Sequence, residues 1–244
     1  MVTQDFSAKT KALIDDLKSV CASYGLGNDG NEYKIITQAF LYKFINDKFA
    51  YELKRLDPKL AKADAKAKAE KDDKAGGWET ELATYSEKEF DKLLLKLPAD
   101  CAKLHRDHTL THLYNNQNRE EFHKLFDDTL RAVAILNTEI FSVKEETGEK
   151  IILFDELSQY INSPTKRDAF CKALVNKLVP FSFESVFDQK FDFFATIFEY
   201  LIKDYNKDGG GKYAEYYTPH AIAKIMAAIL VDGPVKDVTC YDPS

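Results

Sequence analysis

Apolar residues recur along this chain at three- and four-residue steps, a period that predicts amphipathic helices. Leu13, Leu17 and Val20 mark a first helix from an N-cap at Ser7 to about Tyr24, with Gly25 and Gly27 stopping it. The segment from Tyr33 to about Leu56 sets Ile36, Phe40 and Phe44 along one stripe, flanked by Ile45 and Phe49. It ends at Asp57-Pro58, where proline pushes the preceding residue out of helical backbone. From Lys59 to Lys74 the pattern changes to Ala, Lys, Asp and Glu with almost no large apolar side chain, which predicts a solvated helix or a mobile segment with little to bury.

Gly76-Gly77 breaks that run. Ser86, with Glu89 three residues on, forms a capping-box pattern ahead of Phe90, Leu93, Leu94 and Leu95. A further helix is expected after Pro98, and Asn118 to Asn137 repeats the amphipathic theme through Phe122, Leu125, Phe126, Leu130 and Val133. Ile140 to Val143 and Ile151 to Phe154 flank Glu146-Thr147-Gly148, a pattern that predicts a short β-hairpin. Ser163-Pro164 supplies a cap and first turn for a helix to Leu178, and Phe187 to about Tyr205 predicts another, strongly aromatic one. No internal repeat is apparent.

Composition narrows the possibilities. In 244 residues, 45% hydrophobic and 13% aromatic content supplies a real core, so the chain is expected to be folded. A formal charge of -6 argues against wrapping nucleic acid with the whole surface, leaving local or shared contact. Lys54, Arg55, Lys59, Lys62, Lys66 and Lys68 form the best basic cluster for phosphates; the plainer reading is a solvated Lys/Ala helix. Cys21, Cys101, Cys171 and Cys240 lack CxxC spacing and read as small buried apolar residues, and the N-terminus has no signal-peptide run. A cytoplasmic location with reduced thiols is therefore expected, and no apolar stretch approaches the roughly 18 residues of a membrane span.

Two motifs suggest metals and neither is compelling. Asp204 to Glu215 satisfies the formal calcium-loop pattern, with oxygen ligands at the first, third and fifth positions, glycine at the sixth and glutamate at the twelfth. Against it, Gly211 stands where such a loop carries an apolar residue, there is no second loop, and Thr218-Pro219 starts a fresh helix beyond Glu215. His105, His108 and His112 look ligand-like, but no glutamate makes an HExxH motif and Cys101 stands too far apart. No metal site is assigned.

The last 58 residues, Phe187 to Ser244, carry most of the chemistry. A glycine-rich loop at Gly209-Gly210-Gly211 leads to Glu215-Tyr216-Tyr217-Thr218-Pro219, a helix runs through Leu230, and Val238 to Tyr241 reads as a strand aimed at Asp242-Pro243. This order resembles the modification (M) subunit of type I restriction-modification systems. In that family an aromatic helix and glycine-rich loop precede an E-[FY]-Y-T-P segment, and the next strand ends in D-P-[AS]-C-G-S-G, part of the S-adenosylmethionine site. The chain reads as stopping one residue before that cysteine. More loosely, Lys34 to Phe49, ending Asn46-Asp47-Lys48-Phe49, is similar to a helix of the family's N-terminal domain.

The resemblance implies a mainly α chain: an N-terminal helical bundle with the small hairpin over residues 1–180, then, over 181–244, the first helix and strand of a truncated Rossmann-like α/β methyltransferase domain. It implies S-adenosylmethionine as cofactor, with Glu215, Tyr216, Tyr217, Thr218, Pro219, His220, Asp242 and Pro243 at its site. A helix start offers unpaired amides and a positive dipole end to the cofactor's carboxylate, and tyrosine faces attract a sulfonium. The alternative is a plain Thr-Pro cap with core tyrosines and an ordinary Asp-Pro turn. The implied partners are DNA, the specificity and restriction subunits and a second M subunit. The family flips adenine into a pocket built on an Asn-Pro-Pro-aromatic motif. That motif is absent from these 244 residues, so no catalytic residue is assigned and the fragment alone is expected to be inactive. A helical protein-interaction module or a calcium-binding protein are the competing readings.

Overall fold

The computed structural model describes residues 2–27, 30–70, 77–99, 101–141, 153–187, 218, 220–231 and 233. The chain divides into two compact units, Met1–Phe193 and Phe194–Ser244. Among the described residues every regular element is helical, so the mainly α expectation holds there and no strand occurs.

In the first unit α1 (Val2–Ser23) buries Leu13, Ile14, Leu17, Val20 and Cys21, one face of a helix. It ends in the left-handed glycine motif the sequence predicts. Gly25 has φ 86°, its N–H donates to the Ala22 carbonyl, and the Leu26 N–H reaches back to the Cys21 carbonyl at 3.0 Å. α2 (Gly30–Leu56) is the central element: Ile35, Ile36, Phe40, Tyr42, Phe49 and Leu53 are at most 1% exposed. α9 (Arg167–Leu178) packs on α1 and α2, and also on α6 (Leu110–Asn115) and α7 (Phe122–Leu136). Its Phe170, Cys171, Leu174, Val175 and Leu178 are fully buried.

α3 (Pro58–Glu70) is the largely solvated helix its composition predicts, with buried positions, among the described residues, only at Leu60 and Asp64. Leu60 is fully buried and Asp64 only 9% exposed, and α3 lies closely on α4 (Gly77–Leu82). Small residues allow that approach: a Cβ on Gly77 would sit 2.2 Å from the Ala63 carbonyl oxygen and 2.7 Å from the Ala67 Cβ. Glycine at 77 therefore serves close packing as well as breaking the run. α5 (Glu87–Leu94) starts with the expected capping box: the Ser86 N–H donates to Glu89 Oε2 at 2.8 Å, and the Glu89 N–H donates to Ser86 Oγ.

Three expectations need correction. Ser7 lies inside α1, which begins at Val2, and does not cap it. The helix expected after Pro98 is the short α6; ahead of it the Cys101 N–H closes a turn onto the Pro98 carbonyl, and a 3₁₀ turn at Arg106–His108 leads in. Asn118 to Glu121 precede rather than join α7, Glu121 taking φ 55°. Of the expected hairpin, Ile140 and Phe141 lie in the helical turn α8 (Thr138–Phe141), not in a strand. Asn137 sets that turn: its backbone carbonyl accepts the Ile140 N–H, while its side chain accepts the Lys103 N–H at 2.7 Å and donates to the Lys103 carbonyl. Local helix continuation thus outweighs β propensity. Leu153 lies in a bend and Phe154 in irregular chain, its ring edge-on to Tyr42 at 6.4 Å; 142–152 lie outside the described residues.

The unit closes through a short helix, α10 (Glu184–Phe187). Just before it, the Phe183 ring meets those of Phe6, Phe40, Phe44 and Phe181 at 4.9–6.3 Å. Phe187 stacks edge-on against Phe44 and lies beside Tyr51. Among the described residues no helix is long and apolar enough to cross a membrane.

Candidate functional site

In the second unit the described residues are Thr218, α11 (His220–Leu230) with Val231, and Gly233. The expected helix after Thr218-Pro219 is present. Thr218 is exposed and non-helical two positions before His220, the first residue of the helix. Ile222, Ile225, Met226, Ile229 and Leu230 recur at helical spacing and are 49–79% exposed, while Lys224 is the one charged residue inside the helix. A helix this apolar ordinarily forms part of a core. Glu215, Tyr216, Tyr217, Pro219, Asp242 and Pro243, the strand 238–241, the aromatic helix beyond Phe187 and the loop 204–215 lie outside the described residues.

The Asn46-Asp47-Lys48-Phe49 segment of the first unit has a buried polar centre. Asp47 Oδ1 is 2.9 Å from Lys43 Nζ and accepts from the Asn46 side chain at 3.0 Å, while Oδ2 accepts the Phe183 N–H at 2.9 Å. Asn46 Oδ1 in turn accepts the Leu110 N–H at 2.8 Å. Lys43, Asn46 and Asp47 are 5–7% exposed. Neighbouring polar residues of α2 thus reach the chain before α10 and the start of α6. Lys48 points its ammonium at the Tyr51 and Phe187 rings and pairs with Glu52 at 2.7 Å.

The six basic residues singled out by the sequence do not share one role. Lys54 and Lys68 turn toward Asp64 and Glu184, and Arg55 lies over the Tyr51 ring within 3.5 Å of Glu52. Burial alone would raise the Asp64 carboxyl, but hydrogen bonds from Lys68 and Lys54 hold it below its ordinary value. Lys59 and Lys62 face solvent.

Of the three histidines, His112 lines a cavity of about 420 Å³ between α4, the Arg106–His108 turn and α6, whose wall also includes Glu79, Arg106 and Asp107; His105 and His108 are not part of that wall. Each ligand-like group there has a structural task. His105 Nδ1 meets Asp107 at 2.6 Å, and burial lowers the His108 pKa despite the Asp107 charge. Arg106 lies over the Phe90 ring at 4.6 Å and binds Glu87 and the Tyr85 carbonyl. No group of three or more His, Cys, Asp or Glu among the described residues could hold a metal ion. Cys21, Cys101 and Cys171 are buried as expected, and burial pushes the Cys21 thiol up to about 12. Sequence reasoning missed the His123–Asp168 contact at 2.5 Å, which joins α7 to α9 and has no signal in local spacing.

Residues 189–244 match the family described as N-6 DNA Methylase. No curated protein and no solved structure matches the chain. The second unit is thus similar to adenine-N6 DNA methyltransferases over nearly its whole length.

Proposed function

We propose that this chain is the N-terminal portion of the modification subunit of a type I restriction-modification system, an S-adenosylmethionine-dependent adenine methyltransferase acting on DNA in the cytoplasm. The match of residues 189–244 to the N-6 DNA methylase family carries the reading. α11 supports it, because its exposed apolar stripe fits a helix packed within a larger α/β domain.

The residues present suit the cofactor. An 11-residue helix begins at His220, two positions after the exposed Thr218, and a helix start in general offers backbone amides and a positive end to a carboxylate. Glu215, Tyr216, Tyr217, Pro219 and His220 flank that start in sequence, and Asp242-Pro243 would complete the edge from the end of a strand. When bound, S-adenosylmethionine supplies the activated methyl group. The chain's own part is to orient the cofactor's amino-acid end and, through Tyr216 and Tyr217, to wall its charged centre. The helical first unit would serve DNA closure and contacts with the specificity subunit, the restriction subunit and a second modification subunit.

These residues supply only one edge of the pocket and no Asn-Pro-Pro-aromatic run to hold a flipped adenine. The 244-residue chain incubated with tritiated S-adenosylmethionine and unmethylated duplex is therefore expected to incorporate no label above background. Steady turnover would overturn this division of the site.

A further inference from the structure

The strongest unassigned feature is a closed ring of four charges in the first unit. Lys54 of α2 contacts Asp64 of α3 at 2.9 Å and Glu184 of α10; Lys68 of α3 contacts the same two carboxylates at 2.8 and 3.3 Å. Each acid meets both lysines, and the ring is electrically balanced. Residues 54 and 64 come from adjacent helices, while Glu184 is 130 positions beyond Lys54. The inner arm is desolvated, with the Lys54 and Asp64 side chains each 12% exposed, whereas Lys68 is 63% exposed.

We infer that this ring is an ionic latch through which the Lys/Ala-rich helix α3 holds residues 184–187, so that α3 and the closing segment of the first unit open and reclose together. α3 has little else to hold it on that side: Leu60 is its one large buried apolar residue, and Ala63 and Ala67 are committed to Gly77 of α4. Glu184 opens α10, whose Phe187 stacks on Phe44 and Tyr51 of α2. A helix with a solvent-facing composition thereby gains a defined task, independent of the methyltransferase reading.

Hydrogen exchange on the 244-residue chain tests the latch by reciprocity. Glu184→Gln should accelerate exchange of α3 amides, and Lys68→Gln should accelerate the Val186 amide, which donates to the Phe183 carbonyl, each by about two- to fivefold. Amides of α7 and α9 should keep their wild-type rates. The double variant should exchange more slowly than the product of the two single effects, because both substitutions remove the shared Lys68–Glu184 contact. Acceleration confined to the substituted segment, additive effects, or a uniform rise through α7 and α9 would each overturn the latch. Lys68→Gln alters a mostly exposed side chain, so the test does not depend on Glu184→Gln folding normally.

Discussion

Replacing Asp47 by alanine is expected to destabilise the first unit by about 3–5 kcal/mol, the cost of removing one partner of a buried charge pair. The carboxylate is 6% exposed and serves three donors: the Lys43 ammonium, the Asn46 carboxamide and the Phe183 N–H. Its loss strands a cation on Lys43, itself 5% exposed, and removes the acceptor that fixes the chain ahead of α10. Asp47→Asn keeps a carbonyl oxygen for one of these donors and should cost less. Urea unfolding midpoints read both values, and a loss below about 1 kcal/mol for Asp47→Ala would show that Lys43 finds water instead.

The second large effect concerns catalysis. In the proposed methyltransferase, assembled with the subunits proposed for it, Asp242→Ala is expected to lower methyl transfer by about a hundredfold or more, the scale on which a misplaced reactant slows chemistry. Asp242 follows the expected strand 238–241, and ligands of open α/β sheets sit beyond such strand ends. Thr218→Ala tests the expected helix cap and belongs to a different class, with about 1 kcal/mol of local stability at stake. Initial rates at subsaturating S-adenosylmethionine distinguish the two. A rate for Asp242→Ala within about threefold of wild type would remove Asp242 from the cofactor site.

Local rules made much of the first unit readable. The Ser86/Glu89 box, the Gly25 stop and the apolar period of α1, α2 and α9 depend on neighbours within a few residues, and each appears as expected. What the sequence concealed depends on distant partners. Asn46 and Asp47 have no local signal of the Leu110 and Phe183 N–H groups that donate to them, and Lys54 reads as part of a solvated basic cluster until Glu184 arrives. The hairpin error has the same origin. Ile140 and Phe141 have strand-forming side chains, yet Asn137, tied to Lys103, continues the chain as a helical turn. For the candidate cofactor site, the helix expected after Thr218-Pro219 is present from His220, because that signal is local. An electrostatic partner more than a hundred residues away leaves no comparable mark.

The central claim is adenine-N6 methylation of DNA by the protein to which this chain belongs. Its most direct test is nucleoside analysis of unmethylated duplex incubated with the proposed methyltransferase, the subunits proposed for it and S-adenosylmethionine labelled in the methyl group. All of the label should be recovered as N6-methyladenine, and label in methylcytosine, or none in DNA, would contradict the assignment.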